Sequence, residues 1–115
     1  MVKLTVLYNL PPGADHEAFL EWRTGTHQAN NATPPVIKTD FYVAKATMMG
    51  EPRYRYITEA YFPDMASLEE SFFSEAAQEK LQKDLERIHE PVFLISEEVV
   101  TTVVSPDAFD TNVAV

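Results

Sequence analysis

The sequence predicts a small α+β domain, laid out in the order strand, helix, strand, strand, helix, strand. Three observations carry this. Side chains alternate between apolar and mixed types along an opening segment from Val2 to Asn9. Two later segments, one behind Asp15 and one behind Asp64, place apolar residues at helical spacing after a capping carboxylate. Between them, Gly50-Glu51-Pro52 turns one β-rich run back onto another. A chain of 115 residues suits one domain with its own core. Residues 1–104 read as that domain and residues 105–115 as a C-terminal tail.

Each element has a local cause. In the first strand Val2, Leu4, Val6 and Tyr8 share one face, with Lys3, Thr5, Leu7 and Asn9 on the other. Pro11-Pro12-Gly13 ends it. Asp15 caps the first helix by accepting from a free backbone N–H, and Glu17 adds negative charge where the helix dipole favours it. At about 100° per residue, Phe19, Trp22 and Thr26 point one way, with Arg23 and His27 roughly 40° and 80° round from Phe19. Gly25 weakens the last turn, and Asn30, Asn31, Pro34 and Pro35 oppose continuation. A second strand is expected from Thr39 to Met48 and its hairpin partner from Tyr54 to Phe62. Asp64 caps a helix from Met65 to Phe73, with Leu68 and Phe72 stacked one turn apart. Ser74 marks a restart, after which Ala77, Leu81, Leu85 and Ile88 form one stripe, closed by Pro91. The last strand is expected from Leu94 to Val104, with Ser105-Pro106 ending it. In the tail, Phe109 either packs across a subunit interface or stays mobile.

That order is the split βαβ, or ferredoxin-like, arrangement βαββαβ. Right-handed crossovers place both helices on one face of a four-stranded antiparallel sheet. The opposite face is not polar enough to stand bare: from Val99 to Val104 both faces are Val or Thr. Strands apolar on both sides expect cover on both sides. The economical cover is a second copy, a homodimer whose sheets face each other as a dimeric α+β barrel, with alternate residues including Val100, Thr102 and Val104, or their neighbours, in the buried face.

Composition excludes several classes. A net charge of -9 without a basic cluster argues against nucleic acid. The absence of cysteine removes disulfides, thiolate metal sites and a Cys nucleophile. The opening apolar run is too short for a signal peptide, and no stretch approaches the roughly 20 apolar residues of a membrane span. A cytoplasmic, non-membrane protein is expected. His16, His27 and His89 lack metal-ligand spacing, there is no Gly-x-Ser-x-Gly, and three scattered glycines make no phosphate loop. No metal and no cofactor are expected. What survives is proton transfer, for which a histidine with Tyr or Arg nearby needs no cofactor.

Met1 to Tyr8, then Phe19 with His27 eight positions on, resembles the EthD (ethyl tert-butyl ether degradation-like) family of dimeric α+β barrels. Pro52-Arg-Tyr54, Glu59-Ala-Tyr-Phe62 and Leu68 are similar to that family's third strand and its entry into the second helix. The family usually reads Phe-x-x-Tyr-Trp-x-x-x-His in its first helix. Here Trp22 occupies the Tyr position, Arg23 the Trp position, and His27 matches. The resemblance implies a small protein associated with a degradative or biosynthetic pathway, on a fold whose relatives include cofactor-free isomerases, cyclases and monooxygenases of apolar ring compounds.

His27 and Arg23 are therefore the candidate catalytic residues, and Trp22, Tyr8, Asn9 and Tyr61 the candidate ligand-binding ones. Each has a plainer reading. His27 satisfies helix-end carbonyls, Trp22 anchors the core, Arg23 pairs on the surface with an acid such as Glu59, and the tyrosines are ordinary strand residues. His16 and His89 read as solvated. Two functions stand: a module binding a small, mostly apolar organic molecule without turnover, and a cofactor-free isomerase, lyase or cyclase with His27 as general acid or base.

Overall fold

The alternating first segment becomes an inner strand of the sheet. In a computed structural model, which describes residues 1–108, β1 (Val2–Asn9) buries Val2, Leu4, Val6 and Tyr8 and leaves Lys3, Thr5, Leu7 and Asn9 partly exposed. It pairs antiparallel with β3 (Tyr56–Phe62) on one side and β4 (His89–Glu97) on the other. β2 (Lys38–Val43) pairs antiparallel with β3, giving the order β2-β3-β1-β4 in four strands. The helical elements are α1 (His16–Trp22), a turn kinked at Gly25 (Arg23–His27), α2 (Gln28–Asn31), α3 (Met65–Phe72) and α4 (Glu75–Leu85). This is the expected ferredoxin-like βαββαβ sheet.

Phe19 of α1 and Leu68 of α3 join the inward residues of β1 and β3, with Tyr56, Ala60 and Phe62, in one core. Phe62 and Leu68 are 0% and 1% exposed, and burying a side chain of that kind contributes about 1.5–3 kcal/mol. The caps form as expected. Asp15 accepts from the backbone N–H of Glu17 and Ala18, Asp64 from Ser67, and Ser74 from Ala77. Among the described residues no helix is long and apolar enough to cross a membrane.

Three boundaries differ from expectation. β2 ends at Val43 and β3 begins at Tyr56, so the hairpin ladder stops well short of Met48 and Tyr54. Met48 and Met49 are 102% and 89% exposed: nothing lies beside the loop for them to pack against. α4 ends at Leu85, and Pro91 lies inside β4 instead of closing the helix. β4 is an edge strand, where a missing N–H is tolerated.

The largest correction is the last strand. It runs His89–Glu97, and Val99 to Val104 lie off the sheet. The reason is register. Val2 pairs with Glu97 and Glu98 N bonds Met1 O at 2.9 Å, and the β1–β4 ladder runs no further. Val100, Thr102 and Val104 thus do not belong to the open sheet face. That face carries Lys3, Thr5 and Leu7, then Asp40 and Tyr42, Ile57 and Tyr61, and Val92 and Leu94, crossed by a Lys3–Glu59 ion pair of 2.8 Å. Ala108 N closes a turn onto Ser105 O, and Phe109 lies outside the described residues.

Candidate functional site

The apolar stripe of α4 does not meet the sheet. Ala77, Leu81 and Leu85 are only half-buried and, with Ile88, form one wall of a cavity of about 440 Å³. The facing wall is the inward side of the sheet: Leu4, Val6, Tyr8, Thr39, Thr58 and Ala60. Phe19, Trp22, Arg23 and His27 line it from the first helical segment, and Pro34, Pro35 and Val36 from the connection to β2.

A kink at Gly25 fixes the polar end. The backbone at Gly25 is not helical (φ -97°, ψ -105°), and the break brings residues five apart on either side of it together. Two such pairs result. The rings of Trp22 and His27 stack at 4.2 Å, and Arg23 Nη1 donates to Gln28 Oε1 at 2.6 Å. An uninterrupted α-helix would have set these partners about 140° apart. Arg23 turns inward instead of lying on the helix flank and is 1% exposed. Its Nη2 donates to Thr58 Oγ1 at 3.3 Å, and its guanidinium lies 4.6 Å from the Phe41 ring centre. Glu59, the acid expected to pair with it, sits on the opposite face with Lys3. The hydroxyls of Thr58 and Tyr8 are 2.9 Å apart, linking Arg23 to Tyr8.

Burial and surrounding cations set the charges. His27 is pushed down to about 4, first by desolvation and then by Arg23, Lys80 and Arg87. At neutral pH its imidazole is uncharged. Burial raises the Tyr8 phenol, against the Thr58 hydrogen bond and the Arg23 charge. Burial lowers Arg23, against Tyr8, yet a guanidinium keeps its charge at any physiological pH. Arg87 lies 4.2 Å from the Trp22 ring centre. Asp84, also in the lining, is raised by burial against Lys80 and Arg87.

Of the six candidates, Tyr8, Trp22, Arg23 and His27 converge on the cavity. Asn9 and Tyr61 do not. Asn9 clips the loop before β3, its Oδ1 accepting from Arg55 N and its Nδ2 donating to Arg53 O, both at 2.9 Å. Tyr61 points to the open face, where Lys3 and Lys38 lie 5.7 and 5.0 Å from its ring centre. Strand alternation separates them from Tyr8 and Thr58. His16, read as solvated, is hydrogen-bonded through Nδ1 to the Tyr56 hydroxyl. Gln28, Thr39, Thr58 and Lys80 complete the site unannounced. For the two threonines a signal existed, a hydroxyl residue in the inward register of a strand. Among the described residues no cluster of three or more His, Cys, Asp or Glu is placed to hold a metal.

No protein-family model matches the chain, and no curated protein does either. Solved structures do. An EthD family protein from Bacillus halodurans is 25% identical, with a TM-score of 0.70 over 86% of this chain and 99% of its own. The hydroxynitrile lyase of Passiflora edulis is 12% identical, with a TM-score of 0.69 over 88% and 96%. A dimeric ferredoxin-like protein of unknown function from Thermobifida fusca is 9% identical, with a TM-score of 0.64 over 84% and 90%. The last two likenesses are of fold alone. With the sequence resemblance and the Bacillus structure in agreement over most of its length, the chain has a ferredoxin-like fold and is similar to an EthD family protein.

Proposed function

We propose that this protein holds one small, mostly apolar organic molecule in the cavity between its helices and its sheet, as an accessory protein of a degradative or biosynthetic pathway. The observation that carries this is the cavity itself: about 440 Å³, walled by Leu4, Val6, Leu81 and Leu85, with Tyr8, Arg23 and His27 also in its lining. Small-molecule sites have this makeup, apolar walls with a few convergent polar groups. The test is mass spectrometry of small molecules released on denaturing the purified protein, repeated on Leu81→Trp. That variant fills the cavity from α4 without touching the polar end. A ligand retained undiminished by Leu81→Trp places binding elsewhere.

A second reading is favoured by one observation, the neutral imidazole beside a buried cation. In a cofactor-free isomerase, lyase or cyclase, His27 takes a proton from the ligand, and Arg23 or Tyr8 stabilises the resulting oxyanion. The Passiflora lyase lends only its fold, since fold does not carry function with it. In this reading His27→Ala lowers turnover by about 10²–10⁴ while the fold persists. His27→Gln is nearly as inactive yet still binds ligand. A variant that only melts earlier, with binding and turnover unchanged, makes His27 a structural residue.

The assembly in this reading is a homodimer, formed across the open sheet face. Tyr42 and Leu94 on that face are 54% and 48% exposed, and Val99 and Val100 beside it 94% and 80%. Exposed apolar groups in such number favour a partner. Light scattering at low micromolar concentration is expected to give twice the 13.0 kDa chain mass; a clean monomer rejects the barrel.

A further inference from the structure

We infer that the molecule held in this cavity is an apolar acid, its carboxylate engaging Arg23 and its hydrocarbon part lying against the α4 stripe. The inference rests on the cavity being a ligand site, and adds the ligand's charge and the end at which it sits.

Arg23, at 1% exposure, is almost fully withdrawn from bulk water, and it lines the cavity. Its neighbours are neutral: Gln28 Oε1, Thr58 Oγ1 and the face of Phe41. Among the described residues no carboxylate lies within ion-pair distance of it, in a chain that has 18 acidic residues. A buried charge without a counter-charge is costly. A guanidinium carries five N–H donors, so its bonds to Gln28 and Thr58, with the Tyr8 phenol as a third partner, leave two for an anion.

A second, independent observation lies on the adjoining strand. Thr39 Oγ1 is buried with no hydrogen-bond partner, and Thr39 lines the same cavity. Gln28, which binds Arg23, also donates through Nε2 to the Thr39 carbonyl at 3.3 Å, so the two features are neighbours. A carboxylate satisfies both: it is an acceptor only, and it matches the planar guanidinium.

The acids of the lining confine the charge to this end. Glu70 and Asp84 enter from α3 and α4, with Lys80 on the same helix wall. A carboxylate against α4 meets two carboxylates; one against β2 and β3 meets Arg23. His27 is faced by Arg23, Lys80 and Arg87, with Asp84 and Glu70 in the same lining. An anion at Arg23 offsets the first of these cations, so the imidazole takes up protons more readily when the site is filled.

The test compares three probes on the full chain by calorimetry at pH 7: 2-naphthoate, its methyl ester and 2-naphthylmethylamine. The acid is expected to bind about ten- to a hundredfold more tightly than the ester. By NMR titration, naphthoate should raise the His27 pKa from about 4, and the ester should not. Arg23→Gln should bring the acid down to the ester's affinity. Should that variant fail to fold, Thr39→Val removes the orphan hydroxyl at constant shape. It should weaken the acid several-fold while raising the melting temperature. Equal binding of acid and ester, or tighter binding of the amine, overturns the inference and leaves the cavity reading standing. No binding of any probe at millimolar concentration overturns the cavity reading for ring compounds of this size, and the inference with it.

Discussion

His27 is uncharged at rest because burial and three cations oppose its protonation. That has a thermodynamic sign. The folded pKa is about 4 against 6.5 for a free imidazole, so between these values the unfolded chain binds a proton that the folded chain does not. The contribution is full above about pH 6.5 and is lost as pH falls toward 4. Melting curves from pH 7.5 to 4.5 should decline more steeply for the native protein than for His27→Gln; parallel declines mean the ring is solvated. Arg23 and His27 were legible in the sequence as a cation and an imidazole near one helix end. What brings them together was not: Arg23 lies just before a kink at Gly25 that carries Gln28 round to it, and Thr58 arrives from a strand far along the chain.

Among the elements, those with local causes were the legible ones. β1 follows from alternation, and α1, α3 and α4 from their caps and spacing. Asp15→Ala, which removes the acceptor for two free N–H groups, should cost about 1 kcal/mol. In a domain of this size calorimetry should register that as a drop of about 4–8 °C; an unchanged melting temperature means that water replaces the cap. The kink leaves one mark, Gly25, which reads as a weakened last turn and not as a break beyond which the helix resumes at Gln28. β4 was displaced for a different reason. Val99 to Val104 have the strand-forming composition, but pairing is settled by register, and the ladder that sets Val2 opposite Glu97 does not reach them.

For the whole molecule, that leftover run is the part that looks outward. Val99, Val100 and Val104 are 94%, 80% and 87% exposed, and this segment forms no strand. Truncation after Glu98 keeps the described β1–β4 pairing, including the Glu98–Met1 bond. If the homodimer proposed above uses this arm, the truncated chain keeps its fold by circular dichroism but loses mass in light scattering at low micromolar concentration. A dimer of undiminished stability assigns the interface to the sheet alone.

Helix α4 has no fully buried residue, since its stripe faces the cavity rather than a packed neighbour. A domain that stands a helix off its own sheet forgoes the packing which that helix would otherwise supply. A ligand in the gap provides it instead, and binding to the folded state alone raises stability by about 2.7 kcal/mol at a hundred times the dissociation constant. The melting point is therefore a readout of occupancy. Amide exchange should locate the change, slowing along α4 on filling the site and leaving β1, already packed on both edges, as slow as before.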